Sequence, residues 1–188
     1  YLQTIRGESP LASGLTLLPG AIVIGLMNPI TGRIFDRLGA RNMAIAGMLL
    51  LTLATGSFIP ITATTPVIDI VCLYTVRMMG ISMVMMPVTT TGMNALPLNL
   101  ISDGTVVNNT ARQVFASMGT AVLVSVMSNV TMNHMPNHAV ATATPILFKK
   151  LALHANVVGF RYAFGIATTF ALIGLVMTFF LKRNKEAA

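Results

Sequence analysis

Apolar residues fall along the chain in five long runs, at 11–31, 43–61, 67–88, 111–132 and 162–181, separated by short polar breaks. A helix needs about 20 residues to cross the hydrocarbon of a bilayer, and each run has that reach. The pattern predicts an all-α membrane protein with about five transmembrane helices. The fourth run is the most polar, with Ser117, Thr120, Ser125, Ser128 and Asn129, and suits the interior of a bundle better than contact with lipid.

The breaks are too short to hold a soluble domain. Residues 32–42 read as a charged loop and 62–66 as a tight uncharged turn. Residues 93–110, with Pro97, Asp103 and Gly104, read as a connection with a short interfacial stretch. Residues 133–159 are expected to form the one long loop, and 182–188 a tail. His134, His138 and His154 lie in that loop without Cys or acid neighbours at ligand spacing, so solvated positions are expected and no metal site.

Composition agrees with a lipid solvent. Apolar residues make up 54% of the chain and charged residues 9%, against roughly 25% charged in soluble domains. Twelve Lys and Arg against five Asp and Glu raise the question of nucleic acid. The basic residues cluster at the ends of the apolar runs, as membrane topology requires, and form no stripe interleaved with aromatics. If loop 32–42 is cytoplasmic, that side holds Arg33, Arg37, Arg41, Arg112, Lys182, Arg183 and Lys185. The outer side holds Arg6, Lys149, Lys150 and Arg161. The expectation is a multi-pass plasma-membrane protein with a cytoplasmic C-terminus. A start at Tyr1 without a signal peptide suggests a fragment with at least one helix upstream. The single cysteine, Cys72, sits within an apolar run and allows no disulfide framework.

Two places carry candidate chemistry. In Gly32-Arg33-Ile34-Phe35-Asp36-Arg37-Leu38-Gly39-Ala40-Arg41 the glycines permit a compact turn, Asp36 can accept from backbone N–H groups or an arginine, and the arginines anchor helix ends. Arg77 lies about ten residues into the third run, where a charge costs a few kcal/mol and normally faces a partner or a wet cavity. Asp69 is too far along the same helix to pair with it directly, by roughly 12 Å of axial rise, so a partner on another helix or through water is expected. The same run holds Met78, Met79, Met83, Met85 and Met86. Consecutive methionines cannot all face one way, leaving Met79, Met83 and Met86 as the subset suited to lining a substrate path. Pro29 and Pro87 are expected to kink or end their helices, and Gly20, Gly25 and Gly32 to admit a close neighbour.

The stretch from Gly32 to Arg41 resembles the loop signature of the major facilitator superfamily. Ser9-Pro10-Leu11-Ala12-Ser13-Gly14-Leu15 through Leu17-Leu18-Pro19-Gly20, together with Asn108, Arg112-Gln113, Ser117 and Gly119, resembles its drug–proton antiporters with fourteen helices. The resemblance spans nearly the whole chain and implies part of the C-terminal helix bundle of that fold. It implies a gating latch in Asp36, Arg37 and Arg41, with Gly32 and Gly39 shaping it. It places Arg77 and Gly80 at the start of a motif linked to proton transfer, although Met79 stands where that motif has glutamine. Arg112 joins the candidate pathway residues. The implied function is efflux of amphiphilic drugs driven by a proton gradient, with no cofactor. A carrier for a metabolite or nutrient is the alternative, and a non-catalytic membrane subunit the distant one. No nucleophile–base pair or histidine lies within a run, so an enzyme is not expected. Asp36, Asp69 and Asp103 all sit near run ends, so the coupling carboxylate is expected in an absent N-terminal part, whose helices would be this segment's partners.

Overall fold

A computed structural model describes residues 1–136 and 145–180, so His138, Lys182, Arg183, Lys185 and the tail 182–188 lie outside the described residues. Helix α1 covers Pro10–Gly56, α2 Val67–Asn94, α3 Ile101–Asn133 and α4 Pro145–Phe179, with a 3-10 turn at Leu98–Leu100 before α3. Among the described residues these are four helices long and apolar enough to cross a membrane.

Local sequence sets the start of α1. The Ser9 side chain accepts from the Ala12 N–H at 3.2 Å, and Pro10 occupies the first turn, where no backbone donor is missed. The helix then runs through Pro19 and Pro29 without ending. Its one break is Gly39, at φ 75° and ψ 163°, a conformation open to a residue without Cβ. The expected loop 32–42 is thus mostly helix. Nothing from Arg33 to Leu38 disfavours helix, and the charged side chains reach water without unwinding the backbone. Pro87 likewise lies inside α2 and does not end it.

The long loop expected at 133–159 is corrected as well, because α4 begins at Pro145. Lys149, Lys150 and His154 lower the local hydropathy, which hid this part of the helix, but none of them breaks one. At about 1.5 Å per residue, its 35 residues span about 52 Å, well beyond the ~30 Å of hydrocarbon. The exposed Lys149 and Lys150 therefore fall where headgroups take them.

Side-chain pairings give the direction of each rod. Gly20 lies against Tyr74, Ser82 Oγ donates to Asn28 Oδ1 at 3.5 Å, and Gly32 lies against Met86, so the first arm of α1 runs parallel to α2. Gly47 meets Met83 while Leu51 meets Gly80, so the arm after Gly39 runs antiparallel to α2. The break at Gly39 therefore reverses the chain and makes two rods of α1. Gly56 meets Thr168 and Met48 meets Gly174, which sets α4 antiparallel to that second arm. Gly159 against Met127 and Thr131 sets α3 at the side of α4. One end of the bundle gathers Gly39, the end of α2 and the end of α4, here called the kink end. The other gathers Ser9, the turn 62–66 and the start of α2, here called the turn end.

Close approach governs the crossings. A Cβ on Gly80 would stand 2.8 Å from the Leu51 backbone nitrogen, and one on Gly159 would stand 2.6 Å from the Met127 carbonyl oxygen. At the turn end, Leu2, Phe58, Ile61 and Ile70 form a buried cluster, and Phe58 stacks on Phe164 at 4.8 Å between centroids. Helix α3 touches mainly α4 and is exposed over most of its length among the described residues. Two of its polar residues bond within the helix itself: Ser117 donates to the Gln113 carbonyl and Thr120 to the Ala116 carbonyl.

Candidate functional site

The kink end carries the first group. Arg41 Nη2 donates to the backbone carbonyl of Phe179 at 3.0 Å. Carbonyls in the last turn of a helix lack intrahelical partners and carry partial negative charge, so a cation is the favoured cap there. Two elements far apart in sequence are thus held at one point. Arg33, Asp36 and Arg37 are exposed on the last turns before the break, Gly39 makes the break, and Gly32 makes ordinary contact with Met86. Of the three polar residues expected to form the latch, Arg41 is the one that reaches a neighbouring helix end among the described residues.

The remaining candidates divide between packing and cavities. Met83 packs on Gly47 and Met86 against Gly32, so both touch α1, and Met79 is half-buried nearby. Gly80 is a contact point between helices. Arg112 lies with Asn108, Ile81, Val84 and Met85 around a pocket of about 280 Å³ between α2 and α3. Its Nη1 stands 3.2 Å from the Met85 sulfur, a weak acceptor.

Arg77 lines a larger cavity of about 400 Å³ that reaches from the turn end into the bundle, beside Tyr1, Ser13, Phe58, Tyr74 and Phe160. On its other side lies a smaller space of about 190 Å³ with Leu123, Val124 and Met127 of α3. Asp69 is exposed in the first turn of α2. Among the described residues Arg77 Nε and Ser13 Oγ are both buried without a hydrogen-bond partner. The partner expected for Arg77 on another helix is therefore not found at that nitrogen among the described residues.

Residues Tyr1–Thr4 line the turn end of this cavity. Tyr1 donates its hydroxyl to the Thr62 carbonyl at 2.5 Å, Arg6 Nη1 to the Ala63 carbonyl at 3.3 Å, and Leu2 and Ile5 are buried. Burial pushes the Tyr1 phenol above its usual range, against the opposing pull of Arg6 and Thr65, so the donor proton stays in place near neutrality. From α4, Arg161 Nε donates to the Ile61 carbonyl at 3.0 Å. His134 ends α3, its Nδ1 2.8 Å from the Val130 carbonyl, and His154 is exposed on α4 rather than in a loop.

Ser13, Phe58, Phe160, Phe164 and Arg161 were not singled out by the sequence. They come from the first arm of α1, the turn after Gly56 and α4, and only tertiary packing brings them to one place. An aromatic concentration at run ends, Phe58 on one side and Phe160 and Phe164 on the other, was the one available signal.

The family model described as Major Facilitator Superfamily matches residues 1–120. The MFS-type transporter YcnB of Bacillus subtilis is 48% identical over the whole of this chain and 37% of its own length. YhcA of the same organism, also described as an MFS-type transporter, is 37% identical over 97% of this chain and 40% of its own length. The lincomycin resistance protein LmrB of Bacillus subtilis is 40% identical over 98% of this chain and 38% of its own length. The chain spans about two-fifths of the length of these relatives. No solved structure matches.

Proposed function

The chain belongs to the major facilitator superfamily, and from that premise we propose that it forms part of the C-terminal bundle of a proton-driven exporter of amphiphilic drugs working by alternating access. It is a multi-pass membrane segment of a transporter family. Relatives named for lincomycin and multidrug resistance support the choice of cargo. The observation that carries the mechanism is the bond from Arg41 to the end of α4. A contact between the kink and a neighbouring helix end, made in one state and released in the other, biases a two-state carrier.

In this reading the kink end faces the cytoplasm and the turn end the outside, in the plasma membrane. Arg33, Arg37 and Arg41 then lie inside, as the distribution of basic residues favours. The acids available here sit at helix ends: Asp36 before the kink, Asp69 in the first turn of α2 and Asp103 in the first turn of α3. The carboxylate that carries the proton accordingly belongs to the N-terminal part of the full-length carrier, as does the rest of the substrate path.

The test uses inverted membrane vesicles holding the full-length protein. Imposing an inward-acidic gradient should drive accumulation of a lincosamide or a fluorescent amphiphile, and a protonophore should abolish it. Accumulation indifferent to the protonophore would remove proton coupling. Uptake of metabolites with no drug accumulation would move the cargo to the nutrient or metabolite class.

A further inference from the structure

We propose that the turn-end cavity is a binding site for an amphipathic anion, a carboxylate or sulfonate borne on an aromatic body, with Arg77 and Ser13 holding the charged head. As a substrate class this rests on the export reading above; as a binding site it stands on the cavity alone.

The volume, about 400 Å³, lies within the range of roughly 300–1,000 Å³ typical of small-molecule sites. Of the three buried groups without partners among the described residues, Arg77 Nε and Ser13 Oγ belong to residues lining this space and Arg41 Nε lies at the kink end; Ser13 is 5% exposed. A guanidinium can only donate, and a serine hydroxyl can donate as well as accept. No acid lines the cavity among the described residues. A ligand group that accepts from both and brings a negative charge relieves the cost of a buried cation, and charge-assisted bonds of this kind are about twice as strong as neutral ones. A cationic amphiphile would meet the arginine with like charge and is disfavoured.

The walls select the rest of the ligand. Phe58 comes from the turn after Gly56, Tyr74 from α2, and Phe160 and Phe164 from α4, with Phe58 stacked on Phe164 at 4.8 Å and Phe160 on Phe164 at 5.7 Å. These faces suit a flat aromatic body by offset stacking. Residues Tyr1–Thr4 lie across the turn end, and Tyr1 fastens them to the 62–66 turn, so the site is bounded toward the outer face.

The experiment measures equilibrium binding of radiolabelled 2-naphthoate and of 2-naphthamide, its uncharged counterpart, to the full-length carrier in lipid nanodiscs, with empty discs as the blank. The wild type should prefer the carboxylate by about tenfold or more. Arg77→Gln should bring the two affinities together while naphthamide binding stays within about threefold, and Arg77→Lys should keep part of the preference. Equal affinities in the wild type, or a preference that survives Arg77→Gln, overturns the proposal. Should Arg77→Gln not fold, Ser13→Cys in a Cys72→Ser background decides. It should react faster with an anionic than with a cationic methanethiosulfonate of matched size, and 2-naphthoate should protect it. No reaction, or no anionic preference, overturns the site. Binding needs no proton gradient, so a missing anion preference with drug export intact fails this site alone. The reverse pattern fails the export reading alone.

Discussion

Replacing Gly80 with alanine adds one methyl group at a place where three backbone atoms already stand. Its Cβ would lie 2.8 Å from the Leu51 nitrogen, 3.0 Å from the Leu51 Cα and 3.1 Å from the Gly47 carbonyl oxygen. No side-chain rotation clears backbone, so α2 and the second arm of α1 must move apart by roughly 0.5–1 Å. A gap of about that size forfeits a quarter to a half of each dispersion contact at the crossing. Overpacking costs typically about 1–3 kcal/mol, partly offset by the gain of about 0.5–1 kcal/mol from replacing glycine in a helix. The net expectation is a loss of roughly 0.5–2 kcal/mol. Gly25 is the internal control, because a Cβ there meets nothing within 4 Å and alanine should be neutral or stabilising. The assay is loss of monodisperse elution on heating the purified full-length carrier. Gly80→Ala should melt several degrees below Gly25→Ala. Equal melting of the two would refute the close-packing account. Unchanged melting with lost transport would return Gly80 to proton coupling.

At the kink, Gly39→Ala and Gly39→Asn should each cost about 1–3 kcal/mol, since φ 75° with ψ 163° is a combination essentially confined to glycine; thermal melting of both variants checks this. Arg41→Gln removes a charged donor from a helix end. At about 1–2 kcal/mol it should shift the ratio of inward-open to outward-open carrier by about tenfold, read by spin-label distances across the kink end. A lowered melting point with unchanged populations would make Arg41 a purely structural cap. Arg161→Ala should loosen the 62–66 turn and lower stability by about 1 kcal/mol, with faster hydrogen exchange at residues 62–66 as the readout.

Hydropathy made the helices legible because lipid leaves a spanning segment little choice but helix. It failed where helix and hydrophobicity part company. Lys149, Lys150 and His154 hid the first turns of α4, and the arginines around Asp36 made a helix look like a loop. Gly39 was legible as a shape residue, and it is the one residue that breaks α1. The contacts of Met83 with Gly47 and of Met86 with Gly32 were not legible, because spacing cannot say which neighbour a face meets. Arg77 stood out because a buried charge is conspicuous in an apolar run. Ser13, Phe58 and Phe164 did not, because their significance arises from sharing a cavity between two helices and a turn far apart in sequence.

The account depends on rods that cross the bilayer in alternation, with the kink and the end of α4 on one face. Cysteines placed singly at Arg37, Phe180 and Thr64 of the full-length carrier, in a Cys72→Ser background, test this with a membrane-impermeant maleimide. Thr64→Cys should label in intact cells, and Arg37→Cys and Phe180→Cys only after permeabilisation. Labelling of Arg37→Cys and Phe180→Cys from opposite faces, or of either one together with Thr64→Cys in intact cells, would contradict it.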